Sequence, residues 1–281
     1  MKHTSKLAPI LLSLAILCAL LMVWTVMTNR GPVKGNSSVD PAYAALMAPS
    51  ETTQSSGLPT PLEVGEALLD HLSDPFYDAG PNDKGLGLQL AYSLGRVMIG
   101  FLLAMAVGIP VGFVIGMSPL ISKALSPFIQ ILKPVSPLAW MPLALYTIKD
   151  SGLSAIFVIF ICSIWPMLVN TAFGVAGVRQ EWLNVGRTLE IAPLKRAFTI
   201  ILPAAAPTIL TGMRISVGIA WLVIVAAEML VGGTGIGYFI WNEWNNLSIV
   251  NVVVAILLIG VVGMILDQLL AGVTRLVTFQ E

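Results

Sequence analysis

Five ionisable side chains interrupt or border long apolar runs: Arg96, Lys133, Arg214, Glu228 and Asp267. A charge at bilayer depth is costly, so such residues pair with one another or line a polar path. Arg96 shares a stripe of every fourth residue with Gly100 and Ala104, and Glu228 shares one with Gly212, Ser216 and Ala220. At about 1.5 Å per helical residue, Arg96 and Glu228 lie about 30 and 36 Å from the same end of their runs. They are expected to pair where two small-faced helices meet. Arg214 and Asp267 lie about 13–15 Å from that end and form a second candidate pair. Either pair can be packing glue or part of a transport path. Lys133 is left without a partner, about 18 Å deep if its helix is regular. Pro134 and Pro137 follow it, and irregular backbone at depth must be satisfied by protein or water. An isolated ammonium on such a path would attract a small anion without trapping it. Two other readings stay open for Lys133: snorkelling to the surface, or pairing with Asp267.

A different kind of chemistry, docking, is suggested by Gln180 to Pro203, QEWLNVGRTLEIAPLKRAFTIILP. Glu181, Arg187, Glu190, Lys195 and Arg196 concentrate charge between two apolar runs. Trp182, Val185 and Leu189 fall at i, i+3 and i+7, one apolar helical face, with Asn184 and Arg187 opposite. Ala192-Pro193 should end the first helix, and Pro193 suits the first turn of a second. Two short helices are therefore expected between two membrane spans, as an ordered loop or as a docking knob for a soluble partner.

The stretch resembles the coupling loop of ABC importer permeases. That pattern runs Glu-Ala-Ala, three residues, Gly, and later an apolar residue, any residue, Leu and Pro. Here Asn184-Val185-Gly186, Arg187-Thr188-Leu189, Glu190 and Ile200-Ile201-Leu202-Pro203 occupy those places. Asn184 stands at the family's Glu, and Glu190 at its Gly. Flanking stretches resemble the nitrate/sulfonate/bicarbonate branch of the family: Ser93-Leu-Gly-Arg-Val-Met-Ile-Gly, Leu132-Lys-Pro-Val-Ser-Pro-Leu-Ala-Trp, Gly212-Met-Arg-Ile-Ser and Val225-Ala-Ala-Glu-Met. Two more, Pro75-Phe-Tyr-Asp-Ala-Gly-Pro-Asn-Asp-Lys-Gly and Gly233-Thr-Gly-Ile-Gly-Tyr-Phe-Ile-Trp, are similar to its cyanobacterial nitrate or bicarbonate members. The resemblance implies a type I importer fold and a homodimer of permease chains. It further implies two cytoplasmic ATPase subunits, which carry ATP and Mg, and an external solute-binding protein. No cofactor is then expected on this chain. Coupling would fall to Glu181, Asn184, Val185, Gly186, Arg187, Thr188, Glu190, Pro193, Lys195 and Arg196. The substrate would be a small inorganic anion, nitrate or nitrite first, then bicarbonate, sulfonate or cyanate.

These residues need a membrane scaffold, and the composition supplies one. Hydrophobic residues make up 56% and charged residues 11% of the chain, against about a quarter charged in soluble domains. An all-α membrane protein of about six transmembrane helices is expected. Residues 1–28 read as the first span, although a cleaved signal peptide would also begin with Lys2 and Lys6 before an apolar run. Residues 29–85 read as an external loop, flexible to about Ser56, with a short amphipathic helix from Pro61. Residues 86–277 read as a five-span core, with the coupling segment at 180–203.

Within the core, Leu86–Met117 is the second span, and Gly100, Ala104, Gly108, Gly112 and Gly116 give it a small-residue face. Pro119–Lys123 reads as a turn. Leu125–Ile148 is the third span, kinked by Pro134, Pro137 and Pro142. Gly152–Val175, Ala204–Val231 and Ser248–Val277 follow, with Gly232–Leu247 as a Gly- and Trp-rich turn. Most basic residues fall on one side if the N-terminus is cytoplasmic, in the bacterial inner membrane.

Other classes fit less well. Net charge is zero, so nothing argues for nucleic acid. No P-loop pattern occurs, so this chain should not bind ATP. The two histidines and two cysteines are scattered, and no metal site is expected. An intramembrane enzyme would need a catalytic cluster at depth. A secondary transporter would be supported by inverted repeats, which are not seen, and an assembly factor fits the resemblance poorly.

Overall fold

The computed structural model describes residues 7–28, 58–80 and 83–277. These are helical throughout, apart from connecting turns and one isolated bridge between Asp78 and Lys84. The expected flexible segment, residues 29–56, lies outside the described residues. Two compact units are distinguished, Met1–Ser73 with Glu243–Val254, and Asp74–Asn242 with Ala255–Glu281.

In the first unit, α1 (Leu7–Thr28) is an apolar rod with mostly exposed side chains. Its Trp24 Nε1 donates to Pro59 O at 3.0 Å. The amphipathic helix α2 (Pro61–Ser73) starts where Pro61 predicts. Thr60 and Glu63 close a capping box: Thr60 N donates to Glu63 Oε2 at 2.9 Å, and Glu63 N to Thr60 Oγ1 at 3.3 Å.

The second unit is built on α6 (Ser151–Ala176), against which α3 (Leu86–Met117) and α9 (Leu202–Val231) pack. The glycine stripe of α3 is the reason for the close approach. A Cβ on Gly100 would lie 2.6 Å from Ile159 Cγ2, on Gly112 2.6 Å from Leu168 O, and on Gly116 2.6 Å from Ala172 O. Gly212 of α9 meets Asn170 Cβ in the same way, at 2.7 Å. Such backbone proximity is how membrane helices associate when lipid competes equally for apolar side chains.

Three expectations change. Pro119–Lys123 is the first turn of α4 (Pro119–Leu132), not a connecting turn: Ser118 Oγ accepts from Ile121 N at 3.4 Å and Pro119 occupies the first helical positions. The third span is not one kinked helix from Leu125. It stops at Leu132 and restarts as α5 (Pro137–Ile148), with a 90° bend between. Pro134 has no N–H and its ring clashes with the preceding turn, while Pro137 is preset to begin a helix. Gly232–Leu247 is not all turn, because α10 (Ile236–Asn245) forms within it, burying Ile236, Phe239 and Ile240 at helical spacing.

Among the described residues, five helices are long and apolar enough to cross a membrane, and the bent α4–α5 pair makes up to six. One of the five is a 39-residue rod, Pro193–Val231. At about 1.5 Å per residue it is about 58 Å long, far more than the roughly 30 Å hydrocarbon core, so one end must project.

Candidate functional site: a buried carboxylate node, a broken span and a projecting helix

The node sits where α3, α9 and the start of α10 meet. Glu228 is 2% exposed, and Arg96 Nη1 donates to its Oε1 at 2.6 Å. Ser93 Oγ reaches both carboxylate oxygens, at 2.8 and 2.9 Å. The same Ser93 oxygen accepts from Ile236 N at 2.9 Å, and Gly237 N donates to Glu228 Oε2 at 3.1 Å. These backbone donors belong to the first turn of α10, where no intrahelical acceptor exists. Glu228 thus serves as their counter-charge, in accord with the helix dipole. Arg96 is shared with Thr234 O at 2.6 Å, and Gln89 Oε1 accepts from Gly235 N at 3.2 Å.

Gly235 lies so close that a Cβ would overlap the Glu228 carboxylate, and one on Gly237 would run into Val225 O. Ser93, Gln89, Gly235 and Gly237 were not singled out as site residues from sequence. The signal was present in Gly233-Thr-Gly-Ile-Gly, whose glycines serve close approach rather than turning alone.

Arg214 and Asp267 also meet. Arg214 Nε and Nη2 donate to the two Asp267 oxygens, each at 2.5 Å, in a bidentate pair. Both side chains are about half exposed, 48% and 49%. With Asp267 held by Arg214, the alternative pairing of Lys133 with Asp267 is not made.

Lys133 stands at the break between α4 and α5, so the depth expected from a regular helix does not apply. No ion pair to its ammonium occurs among the described residues. It lines a cavity of about 260 Å³ together with Ser136, Trp140, Cys162 and Trp165. A second cavity, of about 280 Å³, is also bordered by Lys133, here with Ser122, Ser126 and Gln130.

The Gln180–Pro203 stretch differs from the two short helices expected. Only α7 (Gln180–Thr188) is separate. The helix from Pro193, α8 (Pro193–Arg196), runs through a π turn at Ala197–Ile201 directly into α9. Pro203 cannot donate a helical hydrogen bond, and a π turn is one way for a helix to absorb that defect and continue.

The packing of α7 shows which way its faces turn. Leu183 packs on the buried cluster of Val175, Val178, Ile201, Ala205 and Ile209. Gly186 is buried against Arg196 and Ile200, where a Cβ would approach Ile200 Cδ1 to 2.8 Å. The apolar stripe looks outward: Trp182 is 42%, Val185 56% and Leu189 66% exposed. Arg179 sits over the Trp182 ring at 5.8 Å, and Arg187 Nη1 donates to Asn184 Oδ1 at 3.2 Å. Thr188 Oγ1 donates to Asn184 O at 3.1 Å, while Glu181 and Lys195 are exposed.

Glu190 ends α7 in the left-handed region, φ +50°. Ile191 N donates to Gly186 O at 3.1 Å and Glu190 N to Arg187 O at 3.0 Å, the bonding pattern of a Schellman cap. Glycine is the usual residue at this place in such a cap, and glycine is what the importer pattern has here.

Long apolar helices, two ion pairs between them and one short helix with an outward apolar face are the features of a multi-pass membrane protein. Comparison with known proteins gives the family. Residues 108–278 match the binding-protein-dependent transport system inner membrane component family, and the chain belongs to it. It is 46% identical over 228 residues to a Synechocystis protein named nitrate import permease NrtB, covering 81% of this chain and 83% of that one. It is 47% identical over 204 residues to a bicarbonate transport system permease, CmpB, of the same organism, covering 72% and 73%. The fold is also that of an inward-facing MetNI methionine ABC transporter chain, with a TM-score of 0.62 and 14% identity over 69% of this chain and 96% of that one.

Proposed function

We propose that this chain is the membrane-spanning subunit of an ATP-driven importer for a small inorganic anion, with nitrate as the substrate. Its similarity to nitrate import permeases over four-fifths of its length supports nitrate. Comparable identity to a bicarbonate permease supports bicarbonate as the second reading.

The observation that carries the ATP-driven mechanism is the exposed Trp182–Val185–Leu189 stripe on α7. An apolar face turned outward on a projecting helix needs a partner, and a cytoplasmic ATPase subunit fits it. Two permease copies would present two such helices to two ATPase subunits, which would bind ATP and Mg. Because α7 is wedged against the 39-residue rod through Gly186, displacement of α7 would be passed to a helix that crosses the membrane. A binding protein would deliver the anion from outside, and the pathway would open alternately to each side. The N-terminus would lie in the cytoplasm and the chain in the inner membrane, as the distribution of basic residues supports.

The test is a double change, Arg187→Glu with Val185→Trp, in the assembled complex. ATPase association or transport-stimulated hydrolysis should fall several-fold. Normal association and coupling in a folded double variant would reject α7 as the docking helix.

A further inference from the structure

The cavity at the α4–α5 break is lined by one basic side chain and by no acidic one. Its lining includes Lys133, Ser136, Trp140 and Trp165. None of these side chains makes a hydrogen bond or ion pair within the described residues, and no carboxylate lines the space. The rest of the wall is mostly proline and aliphatic side chains. Elsewhere in the same unit the chain pairs its deep charges: Arg96 with Glu228, and Arg214 with Asp267.

We infer that this cavity is a transient binding site for one small monovalent oxyanion, held by Lys133 with the N–H edges of Trp140 and Trp165. The inference rests on the reading of the chain as an anion permease and specifies where the anion pauses. Three features select the ligand. A lysine in a lining that holds no carboxylate favours an anion over a cation. A single positive charge in mostly apolar walls would leave a divalent anion with uncompensated charge, which is expensive to bury. A space of about 260 Å³ exceeds one four-atom ion several-fold, so the ion would keep part of its water and bind weakly enough to leave, as conduction requires. Because Lys133 borders the second cavity too, with Ser122, Ser126 and Gln130, its flexible stem can serve the ion on both sides of the break. Lys133 is then a shared stepping stone rather than a one-sided trap.

Cys162 lines the same cavity and provides a native probe. The complete transporter, with its ATPase subunits and binding protein, is reconstituted in vesicles in a C18S background. Thiol modification is read on the Cys162 peptide by mass spectrometry. The reagents are an anionic and a cationic methanethiosulfonate, each normalised to its rate with a free thiol. The anionic reagent should react faster by about tenfold or more, because the Lys133 charge attracts one reagent and repels the other. Lys133→Gln should bring the two rates together, and Lys133→Arg should keep them apart. Nitrate should slow modification, whereas sulfate at matched ionic strength should not.

Equal rates in the parent, an unchanged preference in Lys133→Gln, or no protection by nitrate or bicarbonate would each overturn the site. If Cys162 resists both reagents, Ile219→Cys on another wall of the cavity, in a C18S/C162A background, carries the same test. ATP-driven nitrate uptake is measured in the same vesicles. Uptake without protection rejects the site and leaves the permease reading intact. Protection without uptake of any anion supports the site and rejects that reading.

Discussion

Replacing Glu190 with glycine should strengthen the end of α7. Glu190 holds φ +50° and is exposed, with no side-chain partner within the described residues. Removing its side chain therefore loses no contact. A left-handed backbone costs an L residue about 1–2 kcal/mol. Glycine gives back about 0.5–1 kcal/mol through its greater freedom in the unfolded chain. The net gain is about 0.5–1 kcal/mol, or roughly two- to five-fold in the local opening equilibrium. The amides that report it are Glu190 N and Ile191 N, which donate to Arg187 O and Gly186 O. Hydrogen exchange in the detergent-solubilised protein should show both protected two- to five-fold more in Glu190→Gly. Glu190→Val should lose protection, because a β-branched residue fits this region worst. Equal or weaker protection in Glu190→Gly would refute the argument that the backbone, not the carboxylate, defines this position.

Arg96→Met should destabilise the protein by about 3–5 kcal/mol, the cost of stranding a buried carboxylate, and Arg96→Met with Glu228→Gln should recover part of it; thermal unfolding in detergent checks both. Asp78 hydrogen-bonds Lys84 at 2.5 Å, which holds its carboxyl below the ordinary range. A depressed folded-state pKa contributes stability above the unfolded value that is lost as pH falls through the folded one. Protection at Gly85 N, which donates to Tyr77 O at 2.8 Å, should therefore include the pair's full contribution and be independent of pH around neutrality, and fall only below about pH 4; loss near pH 6 would contradict it. For topology, a cysteine placed at Ser55 should react with an impermeant reagent from outside and one at Arg187 only from inside; the reverse labelling would invert the orientation.

Much of the scaffold was legible because membrane helices announce themselves by length and small-residue spacing. Gly100, Gly108, Gly112 and Gly116 meet α6 as their four-residue period requires, and the same stripes bring Arg96 to Glu228. What was not legible depended on how competing local signals resolve. Pro119 could mark a turn or a helix start, and the Ser118 cap decided. Pro134 could kink a helix or end it, and with Pro137 close behind it ends it. The continuity of Pro193–Val231 needed a π turn that no residue pattern specifies. The outward face of α7 could not be read from periodicity, which shows that an apolar stripe exists but not which way it turns. Gly186 and Leu183, packed against the rod, settle that direction. Glu190 looked like a departure from the importer pattern, yet its backbone keeps the conformation that glycine favours.

The most direct test of the account is uptake of labelled nitrate into vesicles holding the complete complex, with and without ATP, in competition with bicarbonate, nitrite, cyanate and a sulfonate. The account predicts accumulation that requires ATP and the ATPase subunits and is displaced most strongly by nitrate itself. Uptake that proceeds without ATP along an ion gradient, or ATP-driven uptake of another solute with no inhibition by nitrate, would contradict it.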